Sequence, residues 1–313
     1  MTKHESILFI GGGGFIGSNL VRRFVNSKKY KVYIFEAPGA PTERIEDMLE
    51  DVQVINGQLG DTSFFNFLLD QYKIKTVVHL VSSLIPNSSL EDYQREIDTV
   101  IKPTIDIIHL CAEKKVMFVY FSSGGTIYGD SGEIFHKETD QIAPISYYGL
   151  SKCNLENVIL IENRRSQLPY LILRPSNPYG HGQRLYAKQG LIAVAIGKIL
   201  KGEPIELFGD GRNVRDYIYI GDLVEYVYLL VSKEVVNETF NIGSGKGYTN
   251  SEIIETITDV CQRDVKVCNS ESRTGDVKGM ILNVEKLSRY VPIQTKSLKE
   301  GIEDFWKENS NER

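Results

Sequence analysis

Tyr148 and Lys152 stand four residues apart in Tyr147-Tyr148-Gly149-Leu150-Ser151-Lys152, a spacing that puts both side chains on one face of a helix. A phenol with an ordinary pKa near 10 is a poor base, and an ammonium a few ångströms away lowers that value. The pair is therefore suited to moving a proton to and from a substrate hydroxyl. Upstream, the apolar run Met117–Phe121 ends in Ser122-Ser123-Gly124-Gly125-Thr126-Ile127-Tyr128-Gly129. In open α/β sheets catalytic side chains collect where strands end at their carboxyl edge, so a hydroxyl from this stretch is the natural companion of the tyrosine.

A second constellation is built to hold an anion. Gly11, Gly14 and Gly17 are spaced GxxGxxG directly after Ile7-Leu8-Phe9-Ile10. Glycine allows the positive φ of a tight turn and lets backbone N–H groups approach a pyrophosphate without a Cβ. The helix that follows would then face the phosphates with its positive end. Glu36 closes the second strand, where an acid can bind both hydroxyls of an adenosine ribose. The residues after it, Ala37-Pro38-Gly39-Ala40, offer no cation to a 2′-phosphate, which favours NAD over NADP.

These groups need a scaffold of alternating strands and helices. Strands are expected at Ile7–Ile10, Lys31–Phe35, Val52–Asn56, Thr76–Leu80, Met117–Phe121 and Tyr170–Leu173, and helices at 18–26, 96–114 and 147–162. The stripe Ile97, Ile101, Ile105, Ile108 and Cys111 marks the second helix, and Pro103 a bend in it. His79, inside an apolar strand, reads as a packed core residue. After Arg174-Pro175-Ser176-Asn177 the alternation breaks. Helices are expected at 190–201, 250–261 and 298–306, strands at 204–208, 214–220 and 239–242, and Asp222 as the cap of a helix to Val231.

The composition bounds the rest. At 313 residues, 42% hydrophobic and net charge -5, the chain can bury a large core and shows no pull toward nucleic acid or anionic membrane. Cys111, Cys153, Cys261 and Cys268 show neither CxxC nor metal-ligand spacing, so reduced thiols and no metal are expected. A polar start and no long apolar run point to a cytoplasmic protein without a membrane partner.

Taken in order, GxxGxxG, Glu36, HLxxS at His79–Ser83, SSGGTIYG, YxxxK, LRPSNPYG, VRDYIYIGDL, FNIGSG and RTGDV resemble the extended short-chain dehydrogenase/reductase superfamily, in its NAD-dependent nucleotide-sugar epimerase/dehydratase group. The likeness spans the chain. It implies an α/β fold, a doubly wound Rossmann parallel sheet with a smaller interwoven C-terminal lobe. Residues 1–176 with 214–243 would bind NAD, and 177–213 with 244–313 the nucleotide sugar. By position it implies Tyr148 as base, Lys152 on the nicotinamide ribose, and Gly11, Gly14, Phe15, Ile16, Gly17, Glu36, Gln58, Leu59, Leu80, Ser82 and Pro175 about the cofactor. Ser83, Asn177, Gln189, Arg215, Arg273, Asp276 and Met280 would meet the substrate, the arginines on its diphosphate and Met280 controlling the C2 substituent.

Three departures qualify that pattern. Gly124 occupies the slot four residues before Tyr128 where the family places its catalytic Ser or Thr, so Ser123 or Thr126 must supply the hydroxyl, with Ser123 preferred. Val100 stands where many members carry Asn. Met280 occupies the position that often controls how large a C2 substituent the sugar may carry, and, separately, dehydration is disfavoured because Gly124-Gly125 stands where the family's dehydratases place Asp-Glu. The resemblance thus implies 4-epimerisation of an NDP-hexose, UDP-linked glucose/galactose or their N-acetyl forms, through a transient 4-keto sugar. The alternatives are a 4-ketoreductase for 4-keto-6-deoxy sugars and a non-catalytic NAD-binding protein. A homodimer through helices 96–114 and 148–162 is the family's common assembly.

Overall fold

The structure, a computed structural model, describes residues 4–187, 189–263, 265–270 and 278–310. Strand β1 (Glu5–Ile10) buries Ile7, Leu8, Phe9 and Ile10 completely. Side chains alternate across a strand, so Ile7 and Phe9 enter one core and Leu8 and Ile10 the other. A strand buried on both faces belongs in the middle of a helix-covered parallel sheet, and β1 sits there.

The chain continues through α1 (Phe15–Ser27), β2 (Tyr30–Glu36), β3 (Val52–Asn56), α2 (Thr62–Gln71), β4 (Ile74–His79), α3 (Leu90–Glu96), α4 (Lys102–Lys114), β5 (Met117–Phe121), the two-residue β6 (Phe135–His136), α5 (Tyr147–Ser166) and β7 (Tyr170–Pro175). Beyond β7 come β8 (Asn177–Tyr179), α6 (Leu191–Lys201), β9 (Ile205–Phe208), β10 (Val214–Tyr219), α7 (Ile220–Ser232) and β11 (Glu238–Ile242). The last part holds β12 (Gly247–Thr249), α8 (Asn250–Cys261), β13 (Val267–Ser270), β14 (Gly279–Leu282), α9 (Glu285–Ser288) and α10 (Leu298–Ser310). Seven strands form one sheet in the order β11-β7-β5-β4-β1-β2-β3, and every pairing in it is parallel. The strand order reverses between β1 and β4, the switch point at which such sheets open a ligand crevice. The expected doubly wound α/β fold is present.

The second lobe is built from short strands about β10. Its start pairs antiparallel with β12 and parallel with β14, its end pairs with β8, and β14 reaches back to β6. Helices α6, α8 and α10 pack a separate core there, including Ile192, Ile196, Ile253, Ile257, Ile302 and Phe305.

Three local expectations need correction. The helix expected from Glu96 begins at Leu90 under a capping box in which Ser89 accepts from Asp92 N–H and Asp92 accepts from Ser89 N–H. It widens into a π-helical turn over Ile97–Ile101 before α4. Pro103 has no N–H to donate and its ring opposes the carbonyl four residues back, so the bend appears as a widened turn just upstream. Asp222 does not cap α7; Tyr219 is the cap, and Asp222, in the first turn, accepts from Lys296 N–H at 2.8 Å. Of the Ile97–Cys111 stripe, Ile101, Ile108 and Cys111 are buried in the core, and Ile97 and Ile105 are partly buried against it.

His79 is fully buried with Nε2 3.0 Å from Thr104 Oγ1, the packed residue expected of it. All four cysteines are free. Among the described residues no helix is long and apolar enough to cross a membrane, and no cluster could hold a metal ion.

Candidate active site

The glycine loop is fixed by close backbone approach. Gly11 has φ +84°, and a Cβ on Gly17 would lie 2.4 Å from Gly11 O. The cap of α1 is Gly14, with no side-chain acceptor and no acid in the first turn. Its leading N–H groups thus lack a side-chain partner where a phosphate would sit. Glu36, at the end of β2, accepts from Gly13 N–H at 2.6 Å, which ties the strand-end acid to the glycine turn. Burial raises its carboxyl above the ordinary range, and the Gly13 bond opposes this. Leu80 and Ser82 follow β4, Pro175 ends β7, and Gln58 and Leu59 follow β3, so the expected cofactor residues gather at one sheet edge. A cradle that any Cβ at position 17 would fill, with an uncapped helix end and an acid beyond it, fits NAD.

Ser146 caps α5 by accepting from Gly149 N–H at 3.1 Å. A Cβ on Gly149 would meet Thr126 O at 2.8 Å, so the helix start packs directly on the loop after β5. That contact carries Tyr148 to Ser123, whose hydroxyl hydrogen-bonds the phenol. Lys152 is buried, donates to Phe121 O at 3.0 Å, and lies 5.5 Å from the centre of the Tyr148 ring and 5.3 Å from that of Tyr120.

The electrostatics differ from expectation in one respect. Burial raises the Tyr148 phenol above its ordinary value; the Ser123 bond pulls it down and the Glu96 charge pushes it up. The expected depression by Lys152 is absent because the ammonium points at the Phe121 carbonyl and the ring faces. Burial lowers Lys152 itself to about 8, against the charges of Glu96 and Glu156, which raise it.

The structure explains why residue 124 is glycine. A Cβ there would lie 2.5 Å from Leu282 Cδ1 and 2.8 Å from Arg174 O, so no hydroxyl fits in the slot the family pattern favours. Ser123 takes the place beside Tyr148, whereas Thr126 Oγ1 is buried without a hydrogen-bond partner. Behind the loop, Arg174 makes a two-pronged pair with Glu156 (Nη2–Oε2 2.7 Å, Nε–Oε1 3.1 Å) and donates to Tyr128 Oη and Glu138 O. Tyr128 in turn donates to Asn241 Oδ1 at 2.6 Å.

A cavity of about 930 Å³ opens from Tyr148 and Ser123 to Asn177, Gln189 and Arg215. Its flanks are Leu84, Ile85 and Pro86 with Pro144, Ile145 and Leu191. Asn177 Nδ2 donates to Asp216 O at 2.8 Å. Asp216 is buried and accepts from Ser244 N–H and Oγ–H, Gly245 N–H and Leu282 N–H, which fixes the strand that presents Arg215 and Tyr217. Two expected substrate residues stand elsewhere. Met280 is buried with Ile127, Tyr128, Cys153 and Leu282 behind the cavity wall. Ser83 is bound to Glu96. Arg273 and Asp276 lie outside the described residues.

Glu96 was not singled out from the sequence. It is 1% exposed and accepts from Ser82 Oγ at 3.0 Å, Ser83 N–H at 2.9 Å and the Ser83 hydroxyl. Its sequence position gave little signal: it lies one turn before Val100 but off the face of the Ile97–Cys111 stripe.

Residues 7–243 match the NAD dependent epimerase/dehydratase family. Among curated proteins the chain is 30% identical over 290 residues to a dTDP-4-dehydro-6-deoxyglucose reductase of Escherichia coli, covering 91% of each. It is 29% identical to a putative UDP-glucose 4-epimerase of Methanocaldococcus jannaschii, covering 97% of this chain and 99% of the other. Among solved structures, a UDP-glucose 4-epimerase of Thermotoga maritima with UDP-glucose superposes at TM-score 0.90 and 29% identity, covering 98% of this chain and 99% of that one.

Proposed function

The chain belongs to the NAD-dependent epimerase/dehydratase family, and on that premise we propose that it is a nucleotide-sugar 4-epimerase acting on an uncharged NDP-hexose. The observation that carries this is the lining of the cavity. Among its described residues Arg215 is the one charged group, and the polar ones include Ser123, Thr126, Tyr148, Ser176 and Asn177. A dehydration would need an acid and a base beside the reacting carbons, and among the described residues the cavity lining has no carboxylate for either. A redox-neutral inversion needs only one group that takes and returns the hydroxyl proton.

Bound NAD supplies an acceptor and donor for hydride at the sugar C4. Tyr148, as phenolate, takes the C4 hydroxyl proton and gives it back; Ser123 holds that oxygen in line. The Ser123 hydrogen bond, which pulls the phenol's pKa down against burial, favours the phenolate, and Lys152 on the same helix face would bond the nicotinamide ribose. Asn177 and Arg215 hold the diphosphate end, and the smooth flanks of Leu84, Ile85, Pro144 and Leu191 let the sugar turn between the two hydride transfers. Glu36, bonded to Gly13, holds the adenosine ribose.

A second activity has specific support. The 30% identity to a dTDP-4-dehydro-6-deoxyglucose reductase and the apolar flanks favour a 4-keto-6-deoxy sugar, whose methyl group they would bury. The deciding experiment incubates the protein with UDP-glucose and UDP-N-acetylglucosamine, follows C4 inversion by proton NMR, and uses Tyr148→Phe as control. Interconversion that the variant lacks supports the epimerase. No inversion, with NADH consumed on a dTDP-4-keto-6-deoxy sugar, overturns it in favour of reduction.

A further inference from the structure

Positions 124 and 125 are both glycine, and only the first is required by the fold. At Gly124 a Cβ would strike Leu282 Cδ1 and Arg174 O, at 2.5 and 2.8 Å. At Gly125 φ is not positive, and among the described residues a Cβ would meet only Asn177 Oδ1 at 3.9 Å and Ser123 Oγ at 4.0 Å, ordinary contact distances. A side chain there would project into the cavity that Gly125, Ser123 and Asn177 line together. The glycine thus opens a hollow about one side chain wide beside the hydroxyl that holds the reacting oxygen. The polarity of the hollow is fixed as well. Asn177 Nδ2 donates to Asp216 O at 2.8 Å, and a main-chain carbonyl can only accept. The amide therefore cannot be turned over, and Oδ1 is the atom that faces the hollow.

We propose that Gly125 is a specificity-determining residue whose hollow receives the exocyclic group on C5 of the sugar, where Asn177 Oδ1 selects a 6-hydroxyl. The inference rests on the reading of Ser123 as the group that holds the C4 oxygen. With that oxygen placed, the substituents on C3 and C5 lie to either side of it. C3 carries a bare hydroxyl, whereas C5 carries a whole hydroxymethyl group, the better match to a space the size of a missing side chain. Oδ1 accepts from the 6-hydroxyl. A 6-deoxy sugar would fill the hollow with a methyl group and leave the acceptor without a donor. A uronic acid would set its carboxylate against the amide oxygen, with no cation among the described residues within 4 Å of the hollow's floor. A pentose would leave the hollow to water. Asn177 keeps its second N–H for the diphosphate, so one side chain stands at the junction of sugar and phosphate. The substrate class narrows to NDP-hexoses with a free 6-hydroxyl.

Equilibrium binding tests this without turnover. Calorimetry on the NAD-loaded Tyr148→Phe protein measures Kd for UDP-glucose, UDP-6-deoxyglucose, UDP-glucuronate and UDP-xylose, with one base throughout so that the ratios report the sugar alone. UDP-glucose should bind about fivefold more tightly than UDP-6-deoxyglucose, the worth of one neutral hydrogen bond. It should bind about 20-fold more tightly than UDP-xylose, which also forgoes burying a methylene. UDP-glucuronate should be weaker than UDP-glucose by about tenfold or more. Adding Gly125→Val should weaken UDP-glucose by about tenfold or more and change UDP-xylose by less than about threefold. A 6-deoxy sugar bound as tightly as UDP-glucose overturns the proposal. Equal losses of UDP-glucose and UDP-xylose in Gly125→Val also overturn it, because a merely structural glycine would weaken every ligand alike. Should Gly125→Val fail to fold, Gly125→Ala, whose methyl has room, keeps the comparison, with a loss of about threefold expected for UDP-glucose and none for UDP-xylose. These ratios decide the proposal whether or not the wild type inverts C4; absence of inversion counts against the epimerase alone.

Discussion

Breaking the Glu156–Arg174 pair should cost far more than removing it. Both partners are almost fully buried, at 1% and 5% exposure, and share two bonds of 2.7 and 3.1 Å. Glu156→Leu would leave the guanidinium in the core with Tyr128 Oη and Glu138 O as its recorded partners, and an uncompensated buried charge costs about 3–5 kcal/mol. Arg174→Met strands the carboxylate in the same way. In the double variant both desolvation penalties vanish. What remains is Glu138 O without its donor, about 1–3 kcal/mol, since Tyr128 keeps its bond to Asn241. The double variant should therefore be more stable than either single one, with a coupling of about 2 kcal/mol or more. Urea unfolding followed by circular dichroism, with slopes compared so that midpoints report stability, measures all four corners of the cycle. Single variants that each cost under about 1 kcal/mol, or a double equal to their sum, would refute the view that this pair is a desolvated unit beneath the catalytic helix.

Three further outcomes are expected. Ser123→Ala should lower turnover by about 100-fold or more and Thr126→Val by less than tenfold, measured as kcat on whichever nucleotide sugar proves active. Gly124→Ser, which restores the family's usual hydroxyl, should lower stability by about 1–3 kcal/mol through its clash with Leu282, read as a fall in thermal midpoint, without rescuing Ser123→Ala. Lys152→Met should abolish turnover yet raise stability at pH 7. Burial depresses the lysine from 10.5 to about 8, so the folded state carries the cost of that charge at all pH values below the folded pKa. By about 1.4 kcal/mol per unit the cost is about 3 kcal/mol, offset in part by the bond lost at Phe121 O. The advantage should shrink as pH rises from about 8 and vanish above about 10.5, where the unfolded lysine is neutral too; urea midpoints at pH 7, 9 and 10.5 check it.

Much of this was legible because the signals are local. Ile7–Ile10, Met117–Phe121 and the glycines of 11–17 announce strand and turn within a few residues, and Tyr148 with Lys152 falls on one helical face. What escaped depends on partners distant in the chain. Strands β6, β8, β12 and β14 have two to four residues each, too short for a period-2 pattern to register. They exist because β10 and one another supply their hydrogen bonds. Met280 reads equally as a cavity wall or a core residue until β14 is placed, and β14 turns it inward. Glu96 escaped because a glutamate in a helix is usually solvated, and only Ser82 and Ser83, in another segment, make its burial tolerable. The Tyr148 phenol shifted the other way from expectation because burial outweighs a cation whose hydrogen bond goes elsewhere.

The pairing of β14 with β6 has a consequence for how the protein is made. Residues 135–136 bond to residues 281–282, so one of these strands emerges from synthesis long before the other exists. At about 5–20 residues per second, the early strand waits roughly seven to thirty seconds for its partner. During that interval Phe135, half exposed even in the finished fold, lacks its pairing partner Ile281, and the underside of the Tyr128 loop lacks its cover from Leu282. Cells that translate this message quickly, or hold the nascent chain with a chaperone, should yield more active protein than slow translation without one, and a ribosomal pause before codon 279 should lower the yield.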